Sequence, residues 1–242
     1  MAQVGKEMSF LDHLEELRKR IIRSLIAVVI FSVAAYYFSA KIIDFVTKPL
    51  PKVYFMSPTE GFMIRIKIAI IVGAIVSAPI ILYQLWRFIA PGLFKKEIRT
   101  VGPILVFSTF FFFAGGSLCF FLVIPTAMKF LLAFGTEKLQ PLMKISDYIS
   151  FVGFMVLAFG AAFELPIVSY FLAKMGILGP RIMVKGRKYA IVGILILAGV
   201  LTPSPDVFSQ LMLAVPLYFL YEVSIIIVKV VHKNRLKKGI EQ

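Results

Sequence analysis

Between Ile149 and Met175 the chain holds a single acidic residue, Glu164, inside a predominantly apolar run. A charged side chain at the centre of a bilayer costs roughly 2.5–3.5 kcal/mol on insertion scales. Glu164 must therefore be protonated, face a wet cavity or meet a partner. Pro166 cannot donate a backbone hydrogen bond, which frees the carbonyl of Ala162 and predicts a kink. Gly160, Ala161 and Ala162 narrow the same segment and allow a second helix to approach. Two readings follow: a carboxyl bonded structurally to a neighbouring helix, or a polar docking or proton site within the membrane.

Runs of this kind fill the chain, 60% of which is hydrophobic with a mean hydropathy of +0.90. That excludes a soluble domain and predicts one all-α integral membrane domain over residues 1–242. Residues 8–20 read as an amphipathic surface helix, with Phe10, Leu14, Leu17 and Ile21 on one side. Glu15–Lys19 and Glu16–Arg20 form i,i+4 pairs on the other. Six spans follow at about 21–40, 64–89, 101–125 with an extension to 134, 149–173, 189–202 and 207–231. Pro79 interrupts the second, and Tyr83, Trp86 and Arg87 read as interfacial anchors at its end. The fifth has about 13 strongly apolar residues, or roughly 20 Å of helix, so helices 5 and 6 are expected to be short. Glu222 is expected to mark where the sixth leaves the core. No cleavage site follows the first apolar run, so that run is expected to stay in the membrane.

Net charge is +14, which in a soluble protein would suggest nucleic acid; here its distribution argues for topology and no nucleic acid partner is expected. With the N-terminus inside, 19 of the 27 Lys and Arg fall on the cytoplasmic side and 8 outside. Both termini are thus expected to be cytoplasmic.

Enzyme chemistry has little support. His13 and His232 lie near opposite ends, and no zinc-protease, nucleophile-elbow, P-loop or dinucleotide motif occurs. Cys119, the one cysteine, sits among Phe and Leu as packing. No cofactor or metal is expected. Glu15, Glu16 and Glu97 are acids on a basic face. Each either pairs with flanking cations or holds an arginine ligand, which a carboxylate grips bidentately.

The stretch His13-Leu14-Glu15-Glu16-Leu17-Arg18-Lys19-Arg20 resembles the H-L-x-E-L-R-x-R opening of the TatC family, the multi-spanning receptor component of the twin-arginine protein translocase. Ser57-Pro58-Thr59-Glu60, Phe88-Ile89-Ala90-Pro91-Gly92-Leu93, Phe163-Glu164-Leu165-Pro166 and Asp206-Val207-Phe208-Ser209-Gln210 agree with the same family, in order along the chain. The turn Pro203-Ser204-Pro205-Asp206 is one residue longer than the family's usual form.

The resemblance implies a concave, cup-like arrangement of six helices in a bacterial-type cytoplasmic (inner) membrane. It implies recognition of twin-arginine signal peptides of folded precursor proteins by Glu16 and Glu97, with Arg18, Phe88 and Pro49 at further positions the family uses. Glu164, Thr202 and Gln210 match positions where single-span TatA or TatB subunits dock, and Asp206 matches an acid of the exterior turn. Self-association in a larger complex and export driven by the proton gradient are implied likewise. The readings from other classes are a proton-coupled solute carrier using Glu164, and an assembly factor that binds no signal peptide.

Overall fold

The computed structural model describes residues 10–50, 53–89, 101–133, 142–201 and 207–240. Every regular element among them is helical: α1 (Phe10–Tyr37), α2 (Ser39–Thr47), α3 (Glu60–Val76), α4 (Ala78–Ile89), α5 (Val101–Leu118), α6 (Ile124–Leu132), α7 (Ile145–Ala162), α8 (Leu165–Met175), α9 (Pro180–Leu201) and α10 (Val207–Ile240). Four helical stretches are long and apolar enough to cross a membrane, or five when α3 and α4 count as one bent span.

Local chemistry explains most of the breaks. The amphipathic segment and the first span form one continuous helix, α1, because no proline or glycine separates them. Pro79, in the first turn of α4, accompanies a 50° bend between α3 and α4 at Ser77. Pro125 does not end its helix. A π-helical turn, Cys119–Val123, precedes it and widens the backbone, so the helix runs on through Pro125 to Leu132. Pro166 stands in the first turn of α8, and α7 stops at Ala162, so Phe163 and Glu164 interrupt the span Ile145–Met175.

Two expectations need correction. The roughly two dozen residues between the first and second spans, expected as a loop, are partly helical, as α2. Helices 5 and 6 are not short: α9 has 22 residues and α10 has 34, with Pro216 inside it and the basic tail continuing the same helix. Helix propensity does not stop where the hydrocarbon does. What is short is the uncharged part of α9, because Arg181, Lys185, Arg187 and Lys188 occupy its first half. Glu222 accepts from Arg187 at 2.6 Å and from the Tyr218 hydroxyl at 2.8 Å, tying α9 to α10.

The largest apolar core joins α3, α7 and the π turn, where Ile64, Ile68, Cys119, Ile149, Met155 and Phe159 are buried. A second core places Leu82 and Trp86 of α4 against Phe112 of α5 and Ile167 and Phe171 of α8. Small residues set these distances. A Cβ on Gly160 would meet the Phe112 ring at 2.7 Å, and one on Gly115 would meet the Phe159 carbonyl oxygen at 2.7 Å. The segment before α3 is stitched to α7 by main-chain bonds between Tyr54 and Met143–Ile145. Side chains reinforce that seam: Glu60 accepts from the Met56 and Ser146 amides, and Lys67 donates to Ser146 and Ser150.

Candidate functional site

Two polar centres stand out, one at the N-terminal end of α1 and one buried between α4, α5 and the α7–α8 break. At the first, helical spacing alone sets two ion pairs. Lys19 reaches Glu15 at 2.8 Å, and Arg20 grips Glu16 with Nε at 3.0 Å and with Nη2. The tertiary fold adds Gln84 of α4, whose Oε1 accepts from Arg20 Nη1 at 3.3 Å. Arg20 is thereby buried, 8% exposed, and Glu16 keeps Oε2 for another donor.

A polar cavity of about 340 Å³ opens beside them, lined by Asp12, Glu15, Glu16, Arg20, Arg23 and Arg87. Phe88 borders this end of α1, its ring stacked on His13 with centroids 4.4 Å apart and an interplanar angle of 18°. Arg87 donates to the Tyr83 hydroxyl at 2.8 Å. Arg18 is exposed on α1. Glu97 lies outside the described residues. Pro49 is not brought to this group: it follows α2, beyond the opposite end of α1, a helix about 42 Å long.

At the second centre, Glu164 precedes the first residue of α8 without a side-chain capping bond and is 8% exposed. Neither carboxyl oxygen has a hydrogen-bond partner among the described residues. The polar group beside it is the Ser108 hydroxyl of α5. Ser108 is wholly buried and accepts the indole N–H of Trp86 at 2.8 Å. Trp86 is therefore no interfacial anchor. It is 3% exposed and packs edge-on against Phe171, because the bend at Ser77 turns this face of α4 inward.

Ser108 and Trp86 are the functional candidates that pattern reading passed over. Ser108 does carry a signal, as one of few hydroxyls in the apolar run of α5. Gln210, near the start of α10, donates to the Leu195 carbonyl at 2.9 Å and so bridges to α9. Thr202 and Asp206 lie outside the described residues. No group of three or more His, Cys, Asp or Glu suited to a metal occurs among the described residues.

Comparison with known proteins adds to this geometry. The family model "Sec-independent protein translocase protein (TatC)" matches residues 12–216. The TatC protein of Carboxydothermus hydrogenoformans is 46% identical over 228 residues, covering 93% of this chain and 94% of its own. That of Aquifex aeolicus is 42% identical over 243 residues, covering 97% and 100%. That of Escherichia coli K12 is 41% identical over 222 residues, covering 89% and 86%. A crystal structure described as the twin arginine translocase receptor TatC aligns with a TM-score of 0.83 and 41% identity, over 90% of this chain and 99% of that one.

Proposed function

Since the chain belongs to the TatC family of Sec-independent protein translocases, we propose that it receives twin-arginine signal peptides of folded precursors at the Glu16 end of α1. The observation that carries this reading is the Glu16–Arg20 pair. Glu16 already holds one guanidinium, and it lines a polar cavity large enough for a peptide side chain. An arginine ligand that displaces Arg20 matches that carboxylate with two parallel donors, whereas lysine offers a point charge without the planar fork. Glu97 supplies a second carboxylate for the second arginine, and Phe88 and Arg18 flank the entering peptide.

In this reading Glu164, Thr202 and Gln210 receive single-span subunits of the TatA or TatB kind. Support comes from Glu164, a buried carboxyl with no described partner, which a polar group on an incoming helix would satisfy. Asp206 acts in the exterior turn. The protein sits in the cytoplasmic (inner) membrane with both termini cytoplasmic, as the Lys and Arg bias favours, and self-associates in a larger complex. Transport draws on the proton gradient.

The test is binding of a labelled signal peptide to the purified chain in nanodiscs, Arg-Arg against Lys-Lys, with Glu16→Ala and Glu97→Ala alongside. A preference for Arg-Arg that fades in both variants supports the site. Equal binding of the two peptides overturns it.

A further inference from the structure

The end of the molecule away from Glu16 holds a second polar cavity, of about 450 Å³, in the size range of roughly 300–1,000 Å³ typical of small-ligand sites. It lies between the end of α1, α2 and the start of α3. Ile43 and Ile64 contribute apolar lining, and Tyr36, Phe55 and Phe62 aromatic lining. Two charges of opposite sign share this lining, Asp44 of α2 and Arg65 of α3. They do not bridge each other: neither the Asp44 carboxylate nor the Arg65 guanidinium has an ion pair or side-chain hydrogen bond among the described residues. Tyr36 and Tyr37 are exposed at this end, as tyrosines are where a helical protein meets lipid headgroups, and Phe55 and Phe62 add exposed apolar rings.

Opposite charges that line one cavity without pairing suit a ligand that carries both. We propose that this cavity binds the headgroup of a zwitterionic phospholipid bearing a primary ammonium, with its phosphodiester on Arg65 and its ammonium on Asp44. A guanidinium grips a phosphodiester with two parallel donors. A primary ammonium has three N–H donors for a carboxylate, whereas a choline headgroup has none. A phosphatidylglycerol headgroup brings neutral hydroxyls and no cation to Asp44. The aromatic and isoleucine walls match the glycerol and first acyl carbons.

The test uses the full chain, delipidated in detergent and titrated with phosphatidylethanolamine, phosphatidylcholine or phosphatidylglycerol, with bound lipid counted by native mass spectrometry. The wild type should retain phosphatidylethanolamine about tenfold better than the other two, the scale of a hydrogen bond to a charged group. Asp44→Asn should abolish that preference, and Arg65→Gln should weaken retention of all three lipids. Asp44→Glu, which restores the charge, should regain the preference. Signal-peptide binding should be unaffected throughout. Should Arg65→Gln fail to fold, Arg65→Lys, which keeps the charge but loses the fork, should give an intermediate loss. Equal retention of the three lipids, or a preference that survives Asp44→Asn, overturns the site. Displacement by free glycerophosphoethanolamine at the concentration where the lipid binds overturns the lipid assignment in favour of a soluble ligand.

Discussion

Trp86 donates its indole N–H to the Ser108 hydroxyl across 2.8 Å, and that same hydroxyl stands beside the carboxyl of Glu164. The bond joins α4, whose Gln84 holds Arg20 of the receptor end, to α5 and to the buried acid. One short helix thus touches both polar centres.

Trp86→Phe keeps the ring packing but leaves Ser108 without its donor. The expected cost is about 1 kcal/mol of stability, the usual net worth of a buried neutral hydrogen bond. Reversible unfolding in mild detergent measures it. Ser108→Ala should in addition move the infrared carboxyl band that Glu164→Gln identifies. An unmoved band would mean that Ser108 and Glu164 do not interact.

Arg20 occupies the carboxylate that the proposed ligand needs. A binding site that is partly self-filled lowers apparent affinity by the fraction that is free. Arg20→Gln is therefore expected to tighten Arg-Arg peptide binding by about threefold or more, read by fluorescence anisotropy. Weaker binding would assign Arg20 to building the site instead of filling it.

Gly115 and Gly102 lie on the same helix but face different surroundings. A Cβ on Gly115 meets backbone, the Phe159 carbonyl oxygen, as well as the Phe163 ring at 2.6 Å. One on Gly102 meets nothing within 4 Å. Gly115→Ala should destabilise by about 1–3 kcal/mol, the range for overpacking. Gly102→Ala should be neutral or slightly stabilising, because alanine is the better helix former. Thermal melts of the two variants side by side decide the point.

Arg187 and Glu222 pair across α9 and α10 at 2.6 Å. Glu222→Gln and Arg187→Gln should each lower the melting temperature, and the double variant should fall no further than the worse single one. Additive losses would show that the two side chains act independently.

Several features of the fold were legible because their causes are local. The pairs Glu15–Lys19 and Glu16–Arg20 follow from helical spacing, and both form. The interruptions near Pro79 and Pro166 follow from a missing N–H, and both occur. The π turn before Pro125 was not legible, because no residue pattern announces it. Trp86 misled because an amphipathic ring near a helix end suits the interface equally well until a bend turns it inward.

The sequence by itself determined that this chain is an all-helical membrane protein: without water in the hydrocarbon, each apolar run must satisfy its backbone hydrogen bonds within itself, and that is a property of the run alone. Only the tertiary structure decided the partners. Ser108 meets Trp86 from 22 positions away, Gln84 meets Arg20 from 64, and Lys67 meets Ser146 from 79. It also carried Pro49 to the far end of α1 from Glu16, and set Asp44 and Arg65 on one cavity. Such meetings depend on how separate helices pack and bend against one another, which the composition of no single helix encodes.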